Sequence, residues 1–528
     1  MEKLIVFRVD ATPSLGVGHV RRCMAVADSM QTEGPILFLC RWVTPAIREE
    51  LTNSGYVVLQ IEGSGKSQDK LLDDEIGWVR INWYDDVKQC KKMLAGWGKA
   101  DLLVVDHYGL DARWERAMKN SADLVLAIDD LADRRHDTQM LLDQTPKRSI
   151  TDYVNLVPEE CLVLCGVEYA LVNNRIYRLR TLAENRRNKI KSPRNLLVSL
   201  GGTDPTNLNS VVLDAISKLP FRSELKVNVA LTSSAPKLEK LRETVVRLDY
   251  DVKLCVDVVD MGALMLNADL AIGACGGSIW ERAVLGLPTI SLVSATNQYK
   301  IAEIVQNSGA VMLLNTTTTP VTPSMIGEAI SSIWEDPSIL YKMSLAAFRL
   351  CDGLGTLRLV EEMAARECRK RAEKDFLEIQ VRNAIGSDEF NVYMWQGGVG
   401  SRLFARNTNV PMLQEHKEWF RNTLCDPNRR LNIIEYEGVP AGIIRLDSMN
   451  NKSVFEVSIL VSKPFQKLGL GRHALNLTKQ IKDVQELRAY VKQDNCASRK
   501  LFVGAGFVRE SDDWYVWRRR SISTMSIS

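Results

Sequence analysis

Only five histidines occur in 528 residues, so each imidazole is worth locating. His19 closes the segment Asp10-Ala-Thr-Pro-Ser-Leu-Gly16-Val-Gly18-His19-Val-Arg-Arg22-Cys23, which joins an apolar run, Leu4–Val9, to a helical pattern, Val20–Met30. Gly16 and Gly18 let the backbone approach a ligand closely. A helix start behind them offers free N–H groups and partial positive charge, which suits a diphosphate or a developing anion. An imidazole at that place titrates near neutrality and can move protons. His107, in Asp106-His107-Tyr108, ends another apolar run and either lines the same cleft or packs at a strand end. His136 has no supporting context.

Three further loops have the same strand-to-helix setting. They are Ser199-Leu-Gly201-Gly202-Thr-Asp204-Pro205, Gly273-Ala-Cys-Gly276-Gly277-Ser278-Ile-Trp280-Glu281, and Ser291-Leu-Val-Ser-Ala-Thr-Asn297-Gln298. A Gly-Gly-Ser turn at a helix start suits phosphate oxygens. Glu281 can accept both hydroxyls of a ribose, or it can complete a capping box with Ser278. Far downstream, Gln466-Lys-Leu468-Gly469-Leu-Gly471-Arg472-His473 follows an apolar run and opens a helical pattern. Its consecutive N–H groups, from Leu468 through Arg472, can also cradle a diphosphate.

The elements that must position these loops fall into three groups. Leu4–Val9, Ile36–Phe38, Val57–Ile61, Leu102–Asp106 and Leu124–Asp129 alternate with helical stretches, the pattern of a helix-covered parallel sheet. Asn185–Arg194 is basic and polar and reads as a linker. A second α/β pattern follows, with strands at Asn195–Leu200, Lys226–Ala230, Leu270–Ile272 and Thr289–Leu292. Two consecutive α/β domains, 1–185 and 195–365, suggest a two-lobed enzyme that binds ligand at the carboxyl ends of its strands. The charged run Arg366–Asp375 reads as a helix entering a linker. Residues 376–520 are strand-rich and form an α+β domain. The tail 521–528 is small and polar, and is expected to be disordered.

A hydrophobic content of 45%, a net charge of +3 and a pI near 8.2 describe an ordinary globular chain. They give no reason to expect a nucleic-acid partner. No signal peptide is legible, and no stretch reaches the roughly 18 apolar residues that span a bilayer. The 11 cysteines are scattered, which fits a reducing cytoplasm. Cys161 and Cys165, the one short spacing, read as strand packing rather than a zinc pair. No metal-type histidine cluster and no Asp-x-Asp pair placed to hold a metal is visible.

The loop Gly16-Val-Gly18-His19-x-x-Arg22-Cys23, Asp106-His107-Tyr108, Gly201-Gly202-x-Asp204, Gly276-Gly277-Ser278-x-Trp280-Glu281, Asn297-Gln298 and Asp352-Gly353-x-Gly355 occur in a telling order. Through them residues 1–365 resemble the UDP-sugar hydrolase family of the pseudaminic acid pathway, which is related in fold to GT-B glycosyltransferases. The resemblance implies hydrolysis of UDP-2,4-diacetamido-2,4,6-trideoxy-β-L-altropyranose to UDP and free sugar, without a metal. It makes His19 the group that activates or orients water. Tyr108 and Asn297 would position the sugar and Glu281 the ribose. Gly16, Gly18, Arg22, Gly202, Gly276, Gly277, Ser278 and Gln298 would complete the UDP-sugar site.

Gln466-x-x-Gly469-x-Gly471 resembles the pyrophosphate loop of the GNAT acetyltransferase family. Asn495-x-x-Ser498-x-x-Leu501-Phe502-x-x-x-Gly506-Phe507 resembles that family's second motif. Acetyl-CoA is then the co-substrate, held by Gln466, Leu468, Gly469, Gly471, Arg472 and Asn495. Where many members carry a tyrosine acid, this chain has Phe502, which leaves Tyr515, Tyr490 or solvent to protonate the thiolate. Glu456 is the expected base, or else a solvent-facing strand residue. Val410–Phe420, with His416 and Trp419, resembles acetyltransferases acting on nucleotide-linked amino sugars. That implies acetylation of the 4-amino group of UDP-4-amino-4,6-dideoxy-N-acetyl-β-L-altrosamine, the reaction preceding the hydrolysis. The fold expected is α/β, two Rossmann-like lobes followed by an α+β GNAT domain. The alternatives are a GT-B glycosyltransferase in the first part, and a CoA-binding module without catalysis in the second. The sequence does not reveal the oligomeric state.

Overall fold

The computed structural model describes residues 2–12, 16–31, 33–61, 75–204, 206–293, 298–314, 320–372, 378–398, 400–449 and 451–519. Asn297 and the tail 521–528 lie outside them. The chain forms two compact units, Met1–Leu357 and Arg358–Ser528.

The first unit opens with β1 (Ile5–Val9), β2 (Ile36–Cys40), β3 (Val57–Gln60), β4 (Ala100–Asp106), β5 (Ala122–Ile128), β6 (Met140–Asp143) and β7 (Leu162–Cys165). They form one parallel sheet in the order β3-β2-β1-β4-β5-β6-β7. β1 and β2 are buried along their whole length, as strands covered by helices on both faces must be. Cys161 precedes β7 and Cys165 ends it, neither of them in a disulfide.

A second parallel sheet comprises β8 (Asn195–Ser199), β9 (Lys226–Leu231), β10 (Asp251–Val256), β11 (Leu270–Ala274), β12 (Thr289–Leu292) and β13 (Val311–Leu313), ordered β10-β9-β8-β11-β12-β13. Leu196, Val198, Val229, Leu270, Ile272 and Ile290 form the centre of its core.

The basic run between the sheets differs from a plain linker. Residues Arg180–Arg187 are helical. Arg180 donates to the carbonyls of Cys351 and Phe348, both at 2.8 Å, and Arg187 to that of Met265 at 2.8 Å. Both guanidiniums are buried against carbonyl oxygens, Arg180 with Glu184 also 3.2 Å from its Nε, and burial pulls the Arg187 pKa down to about 9. Packing makes Arg180, just before the run read as a linker, and Arg187, within it, staples onto the second sheet's helices.

The second unit has β14 (Ile379–Asn383), β15 (Arg429–Tyr436), β16 (Val439–Met449), β17 (Asn451–Val461), β18 (Glu486–Tyr490), β19 (Val508–Arg509) and β20 (Trp514–Arg518). The sheet is mixed, ordered β14-β15-β16-β17-β18-β20-β19, with β17–β18 its parallel pair. The helix Gly355–Ala372 places Ala365 and Cys368 in this unit's core.

Candidate functional sites

In the first sheet the chain winds outward from β1 to β2 and β3, then returns to place β4 on the other side of β1. Such a reversal opens a crevice at the carboxyl ends of the two central strands. Val9 pairs with Asp106 across that point, so the loop after β1 and the end of β4 are neighbours. Gly16 adopts φ +75 and its N–H bonds to the Thr12 carbonyl at 2.8 Å, a turn that favours glycine. Gly18 starts the helix Gly18–Met30, and His19 and Arg22 lie one turn apart on it.

His19 Nδ1 lies 2.7 Å from Asp106 Oδ1. Arg22 clasps the same carboxylate through Nε and Nη2, each at 2.6 Å, and reaches Asp130 through Nη1 at 3.0 Å. Burial would raise the Asp106 pKa, but the Arg22 charge and then His19 outweigh it and hold the acid well below the usual carboxylate range. An ionised carboxylate only accepts, so Nδ1 carries the proton and Nε2 is left as the ring's acceptor. Tyr108 stands edge-on to the His19 ring, centroids 4.7 Å apart, and its hydroxyl is bonded to Asp130. Burial pushes that phenol pKa upward. Arg22, expected to meet the ligand, is instead committed to Asp106 and Asp130 behind the imidazole.

The other two histidines of this lobe are packed away. His107 is 4% exposed, accepts from the Gly109 N–H at 2.9 Å and has Nε2 3.3 Å from Asp10. Burial lowers its pKa. His136 lies 2.7 Å from Glu115 and 3.7 Å from Asp129. Burial opposes its charge, yet those two carboxylates raise its pKa to about 9.

The second sheet repeats the reversal between β8 and β11. After β8, Gly201 takes φ +96, and a side chain on Gly202 would press to 2.9 Å from Thr232. Asp204 accepts from the Leu208 and Asn209 N–H groups at 2.9 and 2.8 Å, starting the next helix. After β11, Gly276 and Gly277 lead into the helix Ser278–Val284. Ser278 Oγ accepts from Arg282 at 3.0 Å, and Arg282 also donates to the Ala274 carbonyl at 2.6 Å. Gly273 leaves the room this guanidinium needs, since a Cβ there would lie 2.7 Å from its Cζ. Burial lowers the Arg282 pKa only to about 10, so it is a buried cation beneath the turn at neutral pH.

No side-chain cap bond is made at the start of that helix, so the capping-box alternative for Glu281 is not realised. Glu281 instead lies in the field of Arg21 from the first helix, and burial raises its pKa. Gln298 Nε2 reaches the edge of Gly276, 3.7 Å from where a Cβ would stand.

In the second unit, β17 pairs with β18 only from Val454 to Glu456, although β17 runs on to Val461. Beyond that point no pairing joins the two strands among the described residues. The chain then reaches Gln466, whose side chain donates to the Val461 carbonyl at 3.1 Å. Lys467 and Gly469 take φ +66 and +82 around Leu468, curling the loop about its own N–H groups. Gly469 caps the helix Leu470–Gln480, and Gly471 packs against Leu501 and Val461. Arg472 and His473 are exposed on that helix. Asn495 accepts from the Ser498 N–H at 3.1 Å and caps the helix Cys496–Gly504.

Glu456 is partly buried and ion-paired with Arg406 at 2.9 Å, a partner the sequence did not suggest. Arg406 also lies over the Tyr490 ring, 4.6 Å from its centroid. Tyr515 is 4% exposed within the hydrophobic core. Phe502 packs edge-on to Phe507 in the same core, centroids 5.0 Å apart. Among the described residues, no group of three or more His, Cys, Asp or Glu could hold a metal ion, and no helix is long and apolar enough to cross a membrane.

Comparison with known proteins follows this division. Residues 196–354 match the glycosyltransferase family 28 C-terminal domain, and residues 401–507 the acetyltransferase (GNAT) family. The UDP-2,4-diacetamido-2,4,6-trideoxy-beta-L-altropyranose hydrolase of Campylobacter jejuni is 26% identical over 306 residues, spanning 58% of this chain and 97% of its own. An uncharacterized protein of Methanocaldococcus jannaschii is 21% identical over 531 residues, 95% of this chain and 96% of its own. Among solved structures, MurG of Acinetobacter baumannii is 17% identical and covers 68% of this chain and 98% of its own, with a TM-score of 0.45.

The protein is thus of α/β class, two Rossmann-like sheets of GT-B type followed by a GNAT-like mixed sheet. The matches support a bifunctional sugar-modifying enzyme, a GT-B-like sugar enzyme region joined to a GNAT domain.

Proposed function

We propose that the first unit hydrolyses a UDP-linked diacetamido-trideoxy sugar to UDP and free sugar, and that the second N-acetylates the 4-amino group of its precursor. The substrate proposed for the first step is UDP-2,4-diacetamido-2,4,6-trideoxy-β-L-altropyranose, after the C. jejuni relative. The observation that carries this reading is the His19–Asp106 pair at the switch point. Water attacks the anomeric carbon and gives a proton to His19 Nε2. The bond from that carbon to the diphosphate oxygen breaks, and its electrons leave with UDP. Asp106 stabilises the imidazolium that forms. A positioned base of this kind contributes about 10²–10⁴-fold. Donors from the glycine turns Gly202 and Gly276-Gly277-Ser278, with the Arg282 charge beneath, stabilise the leaving diphosphate. Tyr108 and Asn297 position the sugar, Glu281 the ribose, and Gln298 completes the site. No step calls for a metal.

In the second unit, Gln466 through Arg472 and Asn495 hold acetyl-CoA. The sugar amine attacks the thioester carbonyl, a proton passes to Glu456 directly or through water, and the CoA thiolate leaves and is protonated. Tyr515 is buried, so Tyr490 or solvent donates that proton. A cytoplasmic location belongs to the same proposal, since acetyl-CoA and the UDP-sugar would have to be supplied together. The two reactions are consecutive, encoded in reverse order along the chain.

The test is incubation of the full-length protein with the UDP-sugar and no acceptor. UDP release supports the hydrolase; release only when a second sugar or lipid acceptor is added establishes the glycosyltransferase alternative suggested by the match at 196–354. For the second unit, thiol release from acetyl-CoA on adding the amino sugar is expected. Its absence would establish a non-catalytic CoA-binding module.

A further inference from the structure

A cavity of about 270 Å³ lies in the second unit between the helices Glu389–Gly397 and Leu413–Cys425 and strand β16. Gln396, Arg402, Glu415, His416, Trp419 and Arg445 line it. Arg445 and Asp447 alternate on β16 opposite Ser458 and Glu456 of β17. Paired residues share a face and diagonal neighbours stand about 7–8 Å apart, so Arg445 and Glu456 are on the same side of the sheet.

The chemistry of the lining is specific. His416 is 1% exposed, and its Nε2 donates to the Glu389 carbonyl at 3.2 Å. Nδ1 is therefore the acceptor, and it is buried without a partner among the described residues. Burial lowers the His416 pKa to about 4, so the ring is neutral and waits for an N–H or O–H. Trp419 lies beside it, centroids 5.4 Å apart, offering a flat apolar face. Arg402 donates Nε to the Asn407 carbonyl at 3.2 Å. Arg445 is bonded to Asp447 at 2.9 Å and lies 5.9 Å from the Trp419 ring. Among the described lining residues the carboxylate is Glu415, whose Oε2 accepts the Met412 N–H at 3.0 Å.

We propose that this cavity binds the uridine diphosphate portion of a nucleotide sugar, distinct from the site of the first unit. The uracil lies along Trp419 and gives its N3–H to His416 Nδ1, and the phosphates meet Arg402 and Arg445. Guanidiniums suit phosphate oxygens because their forked donors match two oxygens at once. The proposal rests on the reading that the acetyl acceptor is UDP-linked, and it names the groups that recognise the carrier rather than the sugar.

Calorimetric titration of the full-length protein with UDP tests it without catalysis. Two sites per chain are expected. Arg402→Gln and His416→Leu should each weaken one site at least about tenfold and leave the other unchanged. CDP, whose cytosine N3 accepts instead of donating, should also bind that site at least about tenfold more weakly. Unaltered acetyl-CoA affinity in both variants shows that the domain is folded. A single UDP site in the wild type, or two sites that neither variant alters, overturns the proposal. Equal binding of UDP and CDP overturns the role of His416. Failure of the acetyl-transfer reading appears separately, as absent thiol release in a protein that still binds two UDP.

Discussion

The two candidate centres hold their ligands by opposite means. The crevice between β1 and β4 is built from side chains fixed in advance: Asp106 is gripped by Arg22 and His19, and Asp130 by Arg22 and Tyr108. The loop after β17 is built from backbone, with Gly469 and Lys467 setting the curl and its charged side chains exposed. Desolvated ion pairs orient a reacting group but tolerate little change, because each partner lost strands a buried charge. A backbone cradle tolerates side-chain replacement and is sensitive to the conformations that aim its N–H groups. On the proposed reading, the first arrangement serves proton transfer and the second serves binding.

Substitution can break this contrast. His19→Ala should cut sugar-nucleotide hydrolysis at least about a hundredfold and leave acetylation intact, read as UDP release and thiol release on one preparation. Hydrolysis at the wild-type rate would remove His19 from the chemistry. Asp106→Asn keeps the shape but loses the acceptor that fixes the His19 tautomer. It should lower hydrolysis about 10–100-fold, with a changed pH–rate profile, and a rate and profile like the wild type's would deny Asp106 its orienting role.

At Gly469, φ +82 makes alanine cost about 1–2 kcal/mol locally. Gly469→Ala should raise the KM for acetyl-CoA several-fold, while Arg472→Ala, on an exposed side chain, should change it less. The reverse order would show that side-chain charge, not the backbone, holds the cofactor.

A pH series sharpens the same comparison. The His136 pKa is raised to about 9 by Glu115 and Asp129. A group raised on folding stabilises below its unfolded pKa, near 6.5, and that contribution is lost as pH rises through its folded value. The first unit should therefore lose stability between about pH 6.5 and 9. His136→Gln should flatten that slope in thermal unfolding, and an unchanged slope would assign the loss to other groups. The smallest effect is expected from Phe502→Tyr. Its ring packs against Phe507 in the core, so the added hydroxyl should cost about 1–3 kcal/mol of stability without speeding acetyl transfer.

Much of this was legible in the residues themselves. Apolar runs ending in glycine-rich turns marked β1, β8, β11 and β17, because those turns need the backbone freedom that only certain residues give. His19 and the Gln466–Gly471 loop stood out by type and spacing. Asp106 was visible only as part of a motif, because its partnership with His19 depends on β4 lying beside β1. Arg22 read as an anion binder for the same reason: the sequence shows a charge but not which carboxylate reaches it first. Arg282 and Arg406 had no sequence signal, and the cavity around His416 was foreshadowed only by the Val410–Phe420 segment. Each acquires its meaning from a partner on another element, Gly273 and Ala274 for the first, Glu456 for the second, β16 for the third.

The sequence by itself determined the order of elements, the class of each sheet and the loops able to approach a phosphate, since these depend on local periodicity and backbone freedom. Only the tertiary structure decided which carboxylate each histidine of the first lobe meets, which arginines are stapled to carbonyls or carboxylates, and that Tyr515 faces the core. Those outcomes follow from burial and from distances between residues far apart in the chain, and no local pattern encodes them.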